Sequence, residues 1–243
     1  MKKHILALVS VAALTALASS NAMAQQAGDW VLSAGWMNFY PNDSSTPLAV
    51  TYPRATLVPG SGASVSGANT LGLTLNYFFA SNWALEGIVG IPPRFKLQGT
   101  GTLASAGELG KARQWSPTLL FKYYFFDGDV AVRPFVGIGG TYVWYDNVKL
   151  TSGLAGAVSQ MTGLPAAALN TTASLKRSFA PVFSVGASWQ IDKHWGAALS
   201  FSYIPLKTTA TLNTSAVGIP VMTSQATLTL NPLVTYLAVS YKF

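Results

Sequence analysis

The chain has 243 residues, half of them hydrophobic and 9% charged, with a formal net charge of +7. A typical soluble domain carries roughly a quarter charged residues, so this balance argues against an ordinary water-soluble protein. Its cations are dispersed, with no run longer than Lys176-Arg177, which argues against nucleic-acid binding. The lack of cysteine excludes disulfides, cysteine metal sites and cysteine nucleophiles.

Met1 to Ala24 opens with Lys2 and Lys3, continues through an apolar run from Ile5 to Ala18 and closes on the small-x-small site Ala22-Met23-Ala24. It reads as a secretory signal peptide cut before Gln25. The apolar run is shorter than the roughly 20 residues of a spanning helix. Removing these 24 of 243 residues leaves 219, enough for a single domain over 25–243, and lowers the net charge to +5. No mature stretch approaches the roughly 18 consecutive apolar residues of a transmembrane helix. The remaining way to satisfy every backbone polar group inside a membrane is a closed barrel.

Period-2 alternation between turn signals predicts eight strands: Trp30–Tyr40, Thr70–Phe79, Trp83–Phe95, Trp115–Phe126, Arg133–Tyr145, Ser178–Ile191, Trp195–Leu206 and Thr227–Phe243. The second is the clearest, with Leu71, Leu73, Leu75, Tyr77 and Phe79 alternating against Thr70, Gly72, Thr74 and Asn76. Between strands, short connections (Ala80-Ser81-Asn82, Asp127 to Val132, Asp192-Lys193-His194) alternate strictly with long ones (Pro41–Asn69, Lys96–Gln114, Asp146–Arg177, Lys207–Ala226). The expected fold is therefore all-β, an eight-stranded antiparallel transmembrane barrel with four long external loops and three short periplasmic turns. In the third loop, Leu154 to Ala168 can form a short helix, while Gly156, Gly163 and Pro165 oppose a long one.

Aromatic residues gather at the strand ends, among them Trp30, Tyr40, Trp83, Trp115, Trp144, Trp189 and Trp195, as the two interfacial girdles of a membrane barrel require. In the last strand Leu237, Val239, Tyr241 and Phe243 alternate with Tyr236, Ala238, Ser240 and Lys242. This pattern resembles the β-signal read by the barrel assembly machinery, with Tyr241 and Phe243 as its aromatic part. Glu86 and Lys122 have inward parity on neighbouring strands at similar height, and a buried charge needs a partner, so an ion pair in the lumen is expected.

The external side is basic, with Arg54, Arg94, Lys96, Lys111, Arg113, Lys149, Lys176, Arg177 and Lys207 against Asp43, Glu108 and Asp146. Arg94, Lys96, Arg113, Lys149 and Arg177 are the expected contacts to lipopolysaccharide phosphates, against the plainer reading of a solvated face. Catalysis has little to work with. The only mature histidine, His194, falls in a short periplasmic turn, away from the outer leaflet where a lipid hydrolase would need it. Gly137-Ile138-Gly139-Gly140 lies within a strand and lacks the helix and lysine of a phosphate loop, so its small residues read as room for bulky lumen side chains. No enzyme activity, cofactor or metal is expected.

The stretches LGLTLNYFFASNWALEG (Leu71–Gly87), SPTLLFKYYF (Ser116–Phe125), RPFVGIGGTY (Arg133–Tyr142), LKRSFAPVFSVGASWQIDKHW (Leu175–Trp195) and LAVSYKF (Leu237–Phe243) together resemble the outer membrane protein W family, which includes the alkane-uptake protein AlkL. The resemblance implies a narrow, largely apolar barrel for passive entry of small hydrophobic molecules, blocked below, with solute leaving sideways through the wall. An eight-stranded barrel has room inside only for side chains or one small ligand, which argues against a general porin. Pro92-Pro93, Pro117, Pro134, Pro181, Pro205 and Pro232 fall in or beside strands, where each removes a ladder donor and can either break the wall or merely end a strand.

Candidate ligand contacts are Ile88, Leu120 and Phe179, with Leu57, Val58, Leu154 and Met161 from the loops. Phe179 has outward parity unless Pro181 introduces a bulge. The competing function is a structural or interaction protein whose loops contact lipopolysaccharide, host or phage without transport. A continuous apolar tunnel with a wall opening favours transport, and a lumen packed shut favours the scaffold. A monomer in outer-membrane lipid is expected.

Overall fold

The computed structural model describes residues 25–243, so the signal peptide expected over Met1–Ala24 lies outside the described residues. Eight strands form the barrel: β1 (Trp30–Tyr40), β2 (Ala68–Ala80), β3 (Trp83–Gly90), β4 (Thr118–Tyr124), β5 (Val132–Leu150), β6 (Ser178–Gln190), β7 (Trp195–Tyr203) and β8 (Leu233–Lys242). Each pairs antiparallel with its chain neighbours, and β1 pairs with β8 from Val31–Lys242 to Tyr40–Leu233, which closes the sheet. Closure removes the sheet edges that a membrane core cannot tolerate.

Side-chain alternation runs inside out compared with a soluble barrel. On β2, Leu71 is 60% exposed while Thr74 on the opposite face is 2% exposed. Leu85, Phe121, Ile138, Phe201 and Leu237 extend that exposed apolar band round the wall, an area far beyond the few hundred Å² of apolar patch found on soluble proteins. Trp30, Trp83, Trp189, Trp195 and Phe243 gather at its lower margin, where both described chain ends lie.

The β1–β8 seam depends on small inward residues. A Cβ on Gly35 would stand 2.1 Å from the Leu237 carbonyl oxygen and 2.6 Å from the Ala238 Cβ. The glycines of β5 serve the same end: a Cβ on Gly139 would meet the Leu119 carbonyl oxygen at 1.9 Å, and one on Gly137 would meet Lys122 Cγ at 3.1 Å.

The four long connections, expected as loops, are themselves largely β-structure. The upper end of β5 pairs with Glu108–Trp115, which pairs with Arg94–Gly101, which in turn pairs with Ser61–Val65. A second sheet joins Leu169–Leu175, Lys207–Ala216, Ile219–Thr229 and Ala49–Tyr52. These connections extend the barrel upward as a chamber. The short helix expected in the third loop is present as α1 (Ser152–Thr162). It is capped by the Thr151 hydroxyl, which accepts from Leu154 N–H, and is ended by Gly163 at φ +71°. Leu154 and Val158 seat it against Leu103, Leu109 and Met222.

Among the expected strands, the fifth runs on to Leu150 rather than Tyr145, the seventh stops at Tyr203 rather than Leu206, and the eighth starts at Leu233 rather than Thr227. The third stops at Gly90 rather than Phe95, and the fourth starts at Thr118 rather than Trp115. The cause is Pro92-Pro93 and Pro117, which cannot donate to the ladder.

At the lower end, Asp192 Oδ1 accepts from Trp195 N–H at 2.7 Å and from His194 N–H at 2.8 Å. These two donors hold its carboxyl below the usual carboxylate range. A depressed folded pKa contributes stability above the unfolded value, near 3.9, and that stability is lost as pH falls through the folded pKa. We therefore expect hydrogen-exchange protection of the His194 and Trp195 amides to hold at neutral pH and to decline in acid below the ordinary carboxylate range. Asp192→Ala should show the unprotected state already at neutral pH. At the seam, Gly35→Val is expected to destabilise the barrel by about 1–3 kcal/mol through overpacking, measured by urea unfolding in detergent, whereas Ala34→Val on the outer face should be near neutral.

Candidate functional site

The lumen changes character along its axis. At its base, Lys122 Nζ lies 2.8 Å from Glu86 Oε2, and both side chains are 5% exposed. Asn76 Nδ2 donates to Glu86 Oε1 at 3.0 Å, and the ammonium sits 3.9 Å above the centre of the Phe135 ring. The sequence-derived partners Glu86 and Lys122 thus meet as a buried pair.

Beneath them Arg133, 2% exposed, donates to Gln25 Oε1 at 2.9 Å and to the carbonyls of Ser81 and Phe126 at 2.8 and 3.1 Å. Gln25 is held there by its own N–H on the Gly128 carbonyl, and a Cβ on Gly128 would collide with the Gln25 backbone. Phe78, Tyr124 and Phe135 pack beside them and leave a small cavity that Ser33, Thr74 and Asn76 also line. Sequence parity found the pair but missed the Arg133 layer, because its partners are backbone carbonyls and an amide rather than an opposite charge.

Above the pair the lumen is apolar. Met37, Phe39, Leu120, Val182, Val234 and Tyr236 belong to one continuous buried cluster that runs upward to Leu206, Leu228 and Leu230. Two cavities occupy it. The upper, about 1280 Å³ with its open mouth included, lies inside the extended chamber between Leu97, Leu154, Met161, Leu206 and Leu228. The lower, about 1110 Å³ on the same measure, lies between Ile88, Leu120, Val182, Ile204 and Tyr236. Phe39 and Gln114 line both, so these two buried side chains stand between the upper and the lower cavity. Phe95 closes on Phe39 edge to face at 5.9 Å.

The lower cavity also touches residues of the outer wall. Val89 and Ile91, 57% and 62% exposed on the lipid side, line it together with Pro92, Pro93, Ser116 and Pro117. Here the β3–β4 ladder is interrupted. Its last pair is Ile88–Thr118, and the next link above is Gln114 N–H donating to the Pro93 carbonyl at 3.0 Å.

Each lip of the break is tied away from the other. Ile91 N–H donates to Leu71 O of β2, and its carbonyl accepts from the Thr70 hydroxyl. The Pro117 carbonyl accepts from Tyr142 N–H and the Thr141 hydroxyl of β5. The three prolines have no N–H to leave unsatisfied. The prolines were visible in the sequence, but that Pro92-Pro93 faces Pro117 follows only from the register. Pro134 and Pro181, by contrast, sit in unbroken pairing opposite Ala187 and Gly140.

Of the expected ligand contacts, Ile88 and Leu120 line the lower cavity and Leu154 and Met161 the upper. Three are corrected. Phe179 is 74% exposed on the outer wall, because the register Tyr142–Phe179, Thr141–Ala180, Gly140–Pro181 carries no bulge. Leu57, 61% exposed, and its neighbour Val58 line neither cavity.

Arg94, Lys96, Arg113 and Lys149 come together on one outer face, whereas Arg177 lies on the other side of β5, one residue beyond the Val143–Ser178 pair. His194 stacks on Tyr241 at 5.4 Å, and its Nδ1 bonds the Lys242 carbonyl. Tyr241 and Phe243 meet edge to face at 5.1 Å, and Phe243 N–H donates to Trp30 O across the seam.

The OmpW family matches residues 26–243. Outer membrane protein W of Vibrio cholerae is 29% identical over 238 residues, covering 97% of this chain and 98% of its own. Outer membrane protein AlkL of Ectopseudomonas oleovorans is 29% identical over 236 residues, covering 95% and 91%. In fold, the crystal structure of the outer membrane protein OprG from Pseudomonas aeruginosa is similar with a TM-score of 0.78 at 24% identity, covering 90% of this chain and 98% of OprG. The eight-stranded barrel fold is thus shared with OprG, and the match over residues 26–243 places the chain in the OmpW family.

Proposed function

We propose that this protein admits small hydrophobic molecules passively from the outside and releases them sideways into the membrane between β3 and β4. The observation that carries the reading is the lower cavity, which joins lumen residues such as Leu120 to lipid-side residues Val89 and Ile91 across an unpaired stretch of wall. A solute entering from above meets apolar side chains down to Ile88 and Leu120. Below that it meets the Glu86–Lys122 pair and the Arg133 layer, which narrow the lumen to a small cavity lined by charged and polar side chains. An apolar solute gains nothing by displacing hydrogen-bonded buried charges, and the break in the wall leads to hydrocarbon instead.

The alternative, a scaffold without transport, calls for a lumen packed shut. The two apolar cavities, stacked above and below Phe39 and Gln114, favour passage. The implied role of the family agrees with this chemistry, and no step of it needs a catalyst or an energy source.

The reading is tested by uptake. Deleting the gene is expected to slow entry of a short alkane into whole cells and re-expression to restore it. Ile88→Trp, which fills the lower cavity, should restore it several-fold less well at equal barrel abundance. Equal uptake by deleted and re-expressing strains would sink the proposal.

The plug makes a separate prediction. Glu86→Gln strands the Lys122 ammonium and should cost about 3–5 kcal/mol, whereas Glu86→Leu combined with Lys122→Met removes both charges and should cost less, about 1–3 kcal/mol for the Asn76 amide that loses its acceptor. Urea unfolding in detergent reads both. A single variant no less stable than the double would show that the pair is not buried as described.

A further inference from the structure

The hairpin directly above the wall break carries an arrangement that its own strands cannot stabilise. Cross-strand partners place Arg94 opposite Arg113 and Lys96 opposite Lys111, and β5 adds Lys149 opposite Lys111. Like charges directly opposite one another on a sheet repel. Within Arg94–Gly101, Glu108–Trp115 and the upper end of β5, these five cations meet only Asp146, held by Arg113 at 2.6 and 2.8 Å, and Glu108, 3.7 Å from Lys96.

Lys149 reaches this face through a device. Asp146 pairs with Arg113 and Lys149 with Lys111, so three residues on β5 match two on its neighbour, with Asn147 at φ +48° in the bulge. Without the bulge, the odd spacing from Asp146 would turn Lys149 into the chamber. A bulge re-aims side chains, and here it brings a third lysine beside two others.

The height of the row is set from below. On the same outer face, Trp115 and Trp144 stack with centroids 5.8 Å apart and planes 2° apart, and Tyr142 lies 5.7 Å from Trp144. Such rings settle at the headgroup level of a bilayer. Strands rise about 3.4 Å per residue and tilt about 35–45° in such barrels, so the arginine row stands roughly 5 Å and the lysine row roughly 10 Å above the rings. That is the level of phosphate groups on the sugar headgroup of an outer-leaflet lipid.

We propose that this ladder is a binding site for the phosphorylated headgroup of an outer-leaflet glycolipid. Its phosphates lie between Arg94, Lys96, Lys111 and Lys149, and its acyl chains lie over Trp115 and Trp144 beside the wall break. The apolar rings immediately beneath the cations select a lipid over a soluble polyanion. Arg177, on the far side of β5, is not part of the ladder. The site stands independently of transport, because the headgroup is held whether or not solute passes.

The test uses the full-length protein purified in mild detergent and its K96Q/K111Q/K149Q variant, with Lys176→Gln as a basic residue off the ladder. Bound lipid A is counted by native mass spectrometry. We expect wild type and Lys176→Gln to retain lipid A and the triple variant to lose about tenfold or more, since charge-assisted phosphate contacts are being removed. Added lipid A should raise the melting temperature of wild type and not that of the triple variant. In lipid-free detergent the variant should be at least as stable as wild type, because repulsion has been relieved.

Dephosphorylated lipid A should bind weakly, and millimolar inorganic phosphate should not displace the lipid. Retention by the triple variant equal to wild type would overturn the proposal. So would equal binding of dephosphorylated lipid A, displacement by free phosphate, or preference for a soluble sulfated glycan.

Discussion

The structure depends on one constraint: in hydrocarbon no backbone N–H or C=O can be left without a partner. Pairing of β1 with β8 meets it by abolishing the sheet edge, and Gly35 opposite Ala238 lets the two strands approach. The same constraint shapes the interruption of the wall. Pro92, Pro93 and Pro117 have no donors to orphan, and the carbonyls of Ile91, Pro93 and Pro117 find partners on Thr70, Gln114, and Thr141 with Tyr142. A break built from ordinary residues would strand several polar groups, each costing on the order of kcal/mol.

Chemistry is graded along the barrel in the direction that the break requires. The base uses charge, with Glu86, Lys122 and Arg133 each surrounded by donors, acceptors or ring faces. The middle and top use aliphatic and aromatic side chains, and the upper chamber continues the same surface beyond the barrel on strands from the long connections. The hairpin Arg94–Trp115 joins the two regions. Its inner face supplies Phe95 and Gln114 to the junction of the cavities, and its outer face carries the cation ladder.

Much of this was legible in the residues, and the exceptions are instructive. Trp30–Tyr40 was read to its observed bounds because its alternation ends at Pro41. Glu86 and Lys122 were paired correctly because parity and height suffice once neighbouring strands are known. The third strand was overrun because alternation continues through Phe95 and Leu97 after the ladder has already been broken at Pro92-Pro93. Alternation reports which face a side chain takes and says nothing about which strand its backbone bonds.

Phe179 failed for the opposite reason. A bulge was allowed at Pro181 to bring the ring inward, but the glycine opposite, Gly140, leaves room for the ring on the outside and the register stays intact. The bulge on β5, at Asn147, has no sequence signal beyond a residue type tolerant of positive φ. The long connections hid their strands because Ser, Thr, Ala and Gly dominate them, and pairing there is set by neighbours from distant parts of the chain.

The most direct measurement of the central claim is the position of a bound apolar solute in the protein. Crystals grown with a terminally brominated alkane should give anomalous bromine density between Phe39 and the Val89–Pro93 lip, within the lower cavity and reaching the wall break. Bromine confined to the external chamber, or lodged below the Glu86–Lys122 pair, would contradict lateral release between β3 and β4.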